Sequence, residues 1–202
     1  MWLSEITLQL IGFRVVTLLI LAGIQGGIVA ATAVLLGDKG PRFDGRLTLS
    51  PASHIDLVGA IGVIIFGNGW TKPIAIDAGE FRIGRLGIFA VIFAGFAGLV
   101  VTAAILDALI LPALTSLPHT AALTTAAFLR EAGDLAIWFA LFSLIPIPPL
   151  VGGLVLGALG LSVPPLAVRL LAGLLLVAVA TGMVDLLLGP AHALLAPAVL
   201  GE

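Results

Sequence analysis

Residues 15–36 read VVTLLILAGIQGGIVAATAVLL, without one formal charge. At 1.5 Å per residue such a run is about 33 Å long as a helix. A hydrocarbon core of about 30 Å can be crossed by that length. A helix on the surface of a soluble protein would carry a polar stripe, and here only Thr17, Gln25 and Thr32 interrupt the apolar residues. A chain in lipid must also satisfy its backbone groups internally, and a single uninterrupted segment does so as a helix. The stretch therefore predicts a membrane span and an all-α fold.

The rest of the chain agrees. Of its 202 residues, 60% are hydrophobic and 10% charged, and the mean hydropathy is +1.26. A soluble domain of this size carries about 25% charged residues. The net charge of −2 gives no reason to expect a nucleic-acid partner. Cysteine is absent, so disulfides and thiolate metal sites are excluded. The N-terminal MWLSEITLQL has an acid and no early basic residue. It reads as part of the mature chain rather than as a signal peptide, with both ends held in place.

Working outward, a second span is expected over 86–112 and a third, broken span over 135–161. A fourth is expected over 166–188, and an interfacial tail over 190–202. Two prolines, Pro148 and Pro149, interrupt the third apolar run. Proline removes a backbone donor and clashes with the preceding turn, so the helix should break there. Such a break is tolerated at membrane depth only where protein encloses it. The expected architecture is a polytopic helical bundle of about four spans, forming one membrane domain over residues 1–202.

Between the first two spans lies a polar loop, 38–85. It carries Lys39, Arg42, Arg46, Lys72, Arg82 and Arg85. Basic residues favour the inner face, so the loop is expected in the cytoplasm of a bacterial inner-membrane protein. RLTLS and KPIAID alternate like short strands and suggest a small hairpin-like unit, while residues 61–66 suggest a re-entrant or interfacial segment. Arg42, Arg46, Lys72, Arg82 and Arg85 are candidates for lipid head groups or for fixing topology. Arg130 and Asp134, at i and i+4, suit a helix-surface pair. Asp107 and Asp185 are ionisable residues near span ends, where a functional role is the default hypothesis.

Four pieces in order carry a resemblance. They are LGD at 36–38, GRLTLSPASHID at 45–56, GWTKPIAID at 69–77 and SLIPIPPLVGG at 143–153. Together they resemble the short bacterial branch of the site-2 proteases, the intramembrane zinc metalloproteases. The resemblance runs from about Gly23 to the C-terminal region. It implies a zinc ion held by H-E-x-x-H on the first core helix and by the aspartate of an L-D-G motif. Two histidines at i, i+4 share a helix face, and the glutamate acts as base on zinc-bound water. The corresponding positions here are Gln25, Gly26, Val29 and Val151. The asparagine that opens the proline motif corresponds to Ser143. The A-G-P-x-x-N motif of the next helix reads AGFAGL at 94–99.

The expectation drawn from these substitutions is a protein that is not an enzyme, with no metal and no resident cofactor. It would be a pseudoprotease serving as a structural or accessory subunit of a larger hetero-oligomeric membrane complex, a bioenergetic one among the options. Two other readings stay open: an assembly factor or regulator that binds membrane helices transiently, and a peptidase with unorthodox ligands. An unpaired aspartate at depth costs about 2.5–3.5 kcal/mol, which Val151 would remove. Gly26, Gly27, Ser143, Gly152 and Gly153 are the candidate contacts for a partner helix, a lipid, a quinone or a pigment. The two glycine pairs are expected to face each other across the former site, since small residues allow close approach.

Overall fold

A computed structural model describes residues 7–201. The expected anchoring of Met1 and Glu202 lies outside the described residues. Five long helices form the molecule: α1 (Leu8–Leu36), α2 (Gly87–Ala108), α3 (His119–Ser143), α4 (Pro165–Ala180) and α5 (Met183–Leu200). A short helix, Ile110–Ser116, prolongs α2. No strand occurs among the described residues, so the all-α expectation stands.

Three helical stretches are long and apolar enough to cross a membrane: Leu8–Leu36, Gly87–Ser116 and Met183–Leu200. The third differs from the expected interfacial tail. It is a continuous helix with Pro190 and Pro197 inside it, whereas the short apolar stretch after Pro190 suggested an interfacial tail. The fourth expected span shrinks to the 16 residues of α4, about 24 Å at the standard rise. The third helix begins at His119 rather than near Leu135 and ends at Ser143. The chain then turns through 144–150, with a cis Pro148–Pro149 peptide, and a 3-10 turn covers Val151–Gly153.

Helix α1 starts under Thr7, whose Oγ1 accepts from Leu10 N at 3.1 Å. It stops at Gly37, whose φ of 132° no β-carbon-bearing residue adopts readily. Asp38 then ties the loop together. Its Oδ1 accepts from Gly40 N at 2.8 Å and its Oδ2 from Asp77 N at 2.9 Å.

The core lies where α1, α2 and α3 meet. Leu18, Leu21 and Ala22 of α1 pack with Leu99 and Ala103 of α2 and with Leu135, Ala136, Phe139 and Ala140 of α3. Alternation of small and large side chains lets these helices approach closely. A second cluster joins Val29, Ala30 and Ala33 to Ile74, Phe81, Ile88 and Val91, which seats the polar loop against the C-terminal half of α1.

The loop is not a β-hairpin. A single antiparallel bridge, Ile55 with Thr71, is all the pairing it shows among the described residues. Arg46 supplies the missing order. Its guanidinium donates to Ser53 O, to Lys72 O at 2.7 Å and to Pro73 O at 3.5 Å. One side chain thus ties its own segment to two others, at Ser53 and at Lys72–Pro73, through three backbone carbonyls.

Candidate functional site

The first core helix presents Gln25, Gly26 and Val29 toward the loop and α2. Gln25 is 1% exposed. Its Oε1 accepts a hydrogen bond from Thr71 Oγ1 at 3.1 Å, while its Nε2 has no partner among the described residues. Gly95 of α2 packs against Val29.

Gly26 is glycine for a steric reason. A methyl group added there would clash with the Nδ1, Cγ and Cε1 atoms of the His54 imidazole. His54 is fully buried. Its Nε2 lies 2.8 Å from Thr48 O, so Nε2 carries the proton and donates, and Nδ1 is left as an acceptor. That Nδ1 has no partner among the described residues. Burial pushes the imidazole below its ordinary value, opposed by the Thr48 bond and helped by the Arg46 charge. His54 therefore sits as a neutral ring against α1. Nothing in the loop sequence alone marks this contact. The signal that could have found it is the small residue at position 26, which leaves room for a neighbour.

Val151 comes from the turn after the prolines. It shares with Gly26, Val29, Thr71, Ile74 and Leu150 a pocket of about 30 Å³. A volume of that size holds one or two waters. The glycine pairs do not face each other as expected. Gly26 and Gly27 pack against His54 and Leu49, whereas Gly152 and Gly153 pack against the backbone of 144–148. Ser143 donates within its own helix, to Ala140 O at 2.7 Å. Of the head-group candidates, Arg42, Lys72, Arg82 and Arg85 are exposed, but Arg46 is buried and occupied by the carbonyls named above.

A zinc ion implied by the resemblance can be tested against this donor set. It would need about three imidazole, carboxylate or thiolate ligands plus an open position. The donors around Gly26 and Val151 are one amide, one hydroxyl and one imidazole whose Nε2 is already committed. No group of three or more His, Cys, Asp or Glu side chains able to hold a metal occurs among the described residues. The residues present do not fit the ion, and no chemical step is derived through it.

Outside this pocket an apolar cleft of about 500 Å³ runs between Pro73–Ile76 on one wall and Pro148, Leu154, Leu161 and Val168 on the other. The two spaces share Pro73, Ile74, Pro149, Leu150 and Leu154. Buried polar atoms behind an apolar cleft, in a bundle with helices of membrane length, describe a membrane protein. The chain is 32% identical over 148 residues to "Putative zinc metalloprotease YwhC" of Bacillus subtilis (strain 168), covering 72% of this chain and 68% of the relative. It belongs to that zinc metalloprotease family, which is site-2-protease-like. No family model matches the chain, and no solved structure matches it.

This kinship corrects one expectation. The sequence reading took the chain for a non-enzyme because Gln25, Gly26, Val29 and Val151 stand at the ligand positions. Membership of a metalloprotease family points to a peptidase instead, and the exclusion of an enzyme does not stand.

Proposed function

We propose that this chain receives an extended or partly unwound segment of another membrane protein in the cleft between Pro73–Ile76 and the 148–168 wall. The observation that carries this is the continuity of that cleft with the pocket at Gly26 and Val151. A groove with apolar walls excludes water and accepts the side chains of a membrane segment. The basic residues of the loop support a location on the cytoplasmic side of a bacterial inner membrane. The partner is another membrane subunit, held in a hetero-oligomeric assembly for as long as its segment occupies the cleft.

A photo-crosslinking residue at Val163 or Leu161, with Leu123 on the outer end of α3 as control, tests this. The expected result is a membrane protein labelled within an apolar segment from the first two positions and not from the third. Labelling of lipid alone at all three positions would overturn it.

A second reading is favoured by the family: the bound segment is cut, with ligands other than the usual set. New termini in the crosslinked partner after incubation with the purified chain, abolished by a chelator, would support it. An intact partner, with no stoichiometric metal in the protein, would defeat it.

A further inference from the structure

The loop between α1 and α2 carries its charges at its two ends. Between Arg46 and Lys72 the one formal charge is Asp56. This weakly charged middle does not project away from the bundle but runs along α1, and its contacts give the depth it reaches. Leu49 lies against Gly23 and Gly27. Ala60 and Val63 pack in one cluster with Leu18 and Leu21. Arg14 Nη1 donates to the carbonyls of Ile64 and Ile65 at 3.4 and 3.1 Å, and its guanidinium lies beside Gly67. The chain reverses there, with Gly67 at a φ of 83° that favours glycine. It returns past Gln25, which accepts from Thr71, to Arg82, whose N–H donates to Leu36 O at 2.8 Å.

Arg14 and Leu36 are 22 positions apart on α1, about 33 Å along the axis. That interval matches a hydrocarbon core of about 30 Å, and it is the uncharged run of α1. The middle of the loop therefore covers the same depth as the span it lies on. We propose that residues 47–71 form a re-entrant hairpin that crosses the hydrocarbon region to its far boundary. The outward face of its helix, Leu57–Phe66, is solvated by lipid acyl chains. The charged ends of the loop stay together on one side, and the placement is independent of what the cleft binds.

The helix itself carries the second observation. It is apolar on both faces: Gly59, Ala60, Gly62 and Val63 are buried, whereas Leu57, Val58, Ile61 and Ile65 are exposed. A helix this short is marginal in water, and a water-facing side would be polar. Its ends are closed as hydrocarbon demands. Asp56 Oδ1 accepts from Gly59 N at 2.9 Å at the start, and Arg14 takes two carbonyls at the finish. Bulk water would satisfy those groups unaided, and lipid cannot. Acyl chains are the occupant because the flanking helices are bare and apolar too. Val16 and Leu19 on α1 and Leu170 and Leu174 on α4 are exposed, and Gly62 packs toward Leu176 of α4. Fluid chains cover such a surface without a shaped groove.

The chain has no cysteine, so single nitroxide-labelled cysteines at Leu57, Ile61 and Ile65 test the placement. Ile105 on the exposed face of α2 and Lys39 at the charged end of the loop serve as controls. In liposomes of phosphatidylcholine and phosphatidylglycerol, collisions with oxygen report lipid and collisions with a water-soluble nickel chelate report water. The three helix positions are expected to favour oxygen as Ile105 does, with Lys39 the reverse. Leu57 is expected to lie deeper than Ile65, which sits at the far boundary. A loop dipping only partway from its charged ends would make Ile65 the deepest, and that order would overturn the crossing. Nickel access equal to that of Lys39 would overturn the lipid contact. Poor access to both reagents would assign the face to a protein partner and overturn it as well. Amide exchange of the unaltered chain in nanodiscs checks the same point without substitution. Slow exchange over 59–66 is expected, and exchange as fast as at Lys39 would count against the hairpin.

Discussion

The ring of His54 occupies the space that a side chain at Gly26 would need. The two residues are 28 positions apart, one on a membrane helix and one in the polar loop, yet position 26 cannot grow while the ring is there. Gly26→Ala is expected to destabilise the protein by about 1–3 kcal/mol through overpacking. In a His54→Ala background the same change should cost much less, because the ring it strikes is gone. Unfolding midpoints of the two single variants and the double variant measure that coupling, and strict additivity would contradict the contact.

The His54 imidazole has a lowered proton affinity in the fold, chiefly from burial. Above its ordinary value of 6.5 both folded and unfolded states are neutral, and the contribution to stability is complete. As pH falls below that value, the unfolded chain takes a proton that the folded one refuses. Stability then declines with falling pH until the folded value is reached. The midpoint at pH 5.5 should lie below that at pH 7.5, and the difference should shrink in His54→Gln.

Arg46 holds two loop segments, at Ser53 and at Lys72–Pro73, through three backbone carbonyls. Replacing it with methionine removes every charge-assisted bond while keeping most of the volume. The expected loss is on the order of 1.5–3 kcal/mol, concentrated in the loop. Limited proteolysis should show cuts between residues 46 and 73 in the variant at protease levels that leave the unaltered chain intact.

Gln25 and Thr71 form a buried pair. Gln25→Leu leaves the Thr71 hydroxyl unsatisfied, and Thr71→Val leaves a Gln25 oxygen unsatisfied. Each single change should cost about 1–3 kcal/mol, and the double change less than their sum. Chemical denaturation in detergent reads the three values directly.

The long helices were legible because lipid leaves the chain little choice: an uncharged run of membrane length is helical. α1 and α2 follow from that alone. α3 begins earlier than hydropathy suggests because Thr120, Thr124, Thr125, Arg130 and Glu131 dilute the apolar signal, although Ala122, Leu129 and Ala132 are buried. α5 was hidden by Pro190 and Pro197, since a proline reads locally as a stop. The substituted positions Gln25, Gly26, Val29 and Val151 could be found by motif order. Their surroundings could not. That His54 fills the space beside Gly26, that the glycine pairs face different walls, and that Asn68 meets Asp185 are all contacts between residues distant in sequence.

Gly23, Gly26 and Gly27 let the 48–54 segment lie directly on α1: Leu49 presses on the first and third, and His54 on the second. Such a seam cannot flex as a hinge, so residues 48–54 move with α1 as one body, and amide exchange along them should be as slow as in the helix they lie on.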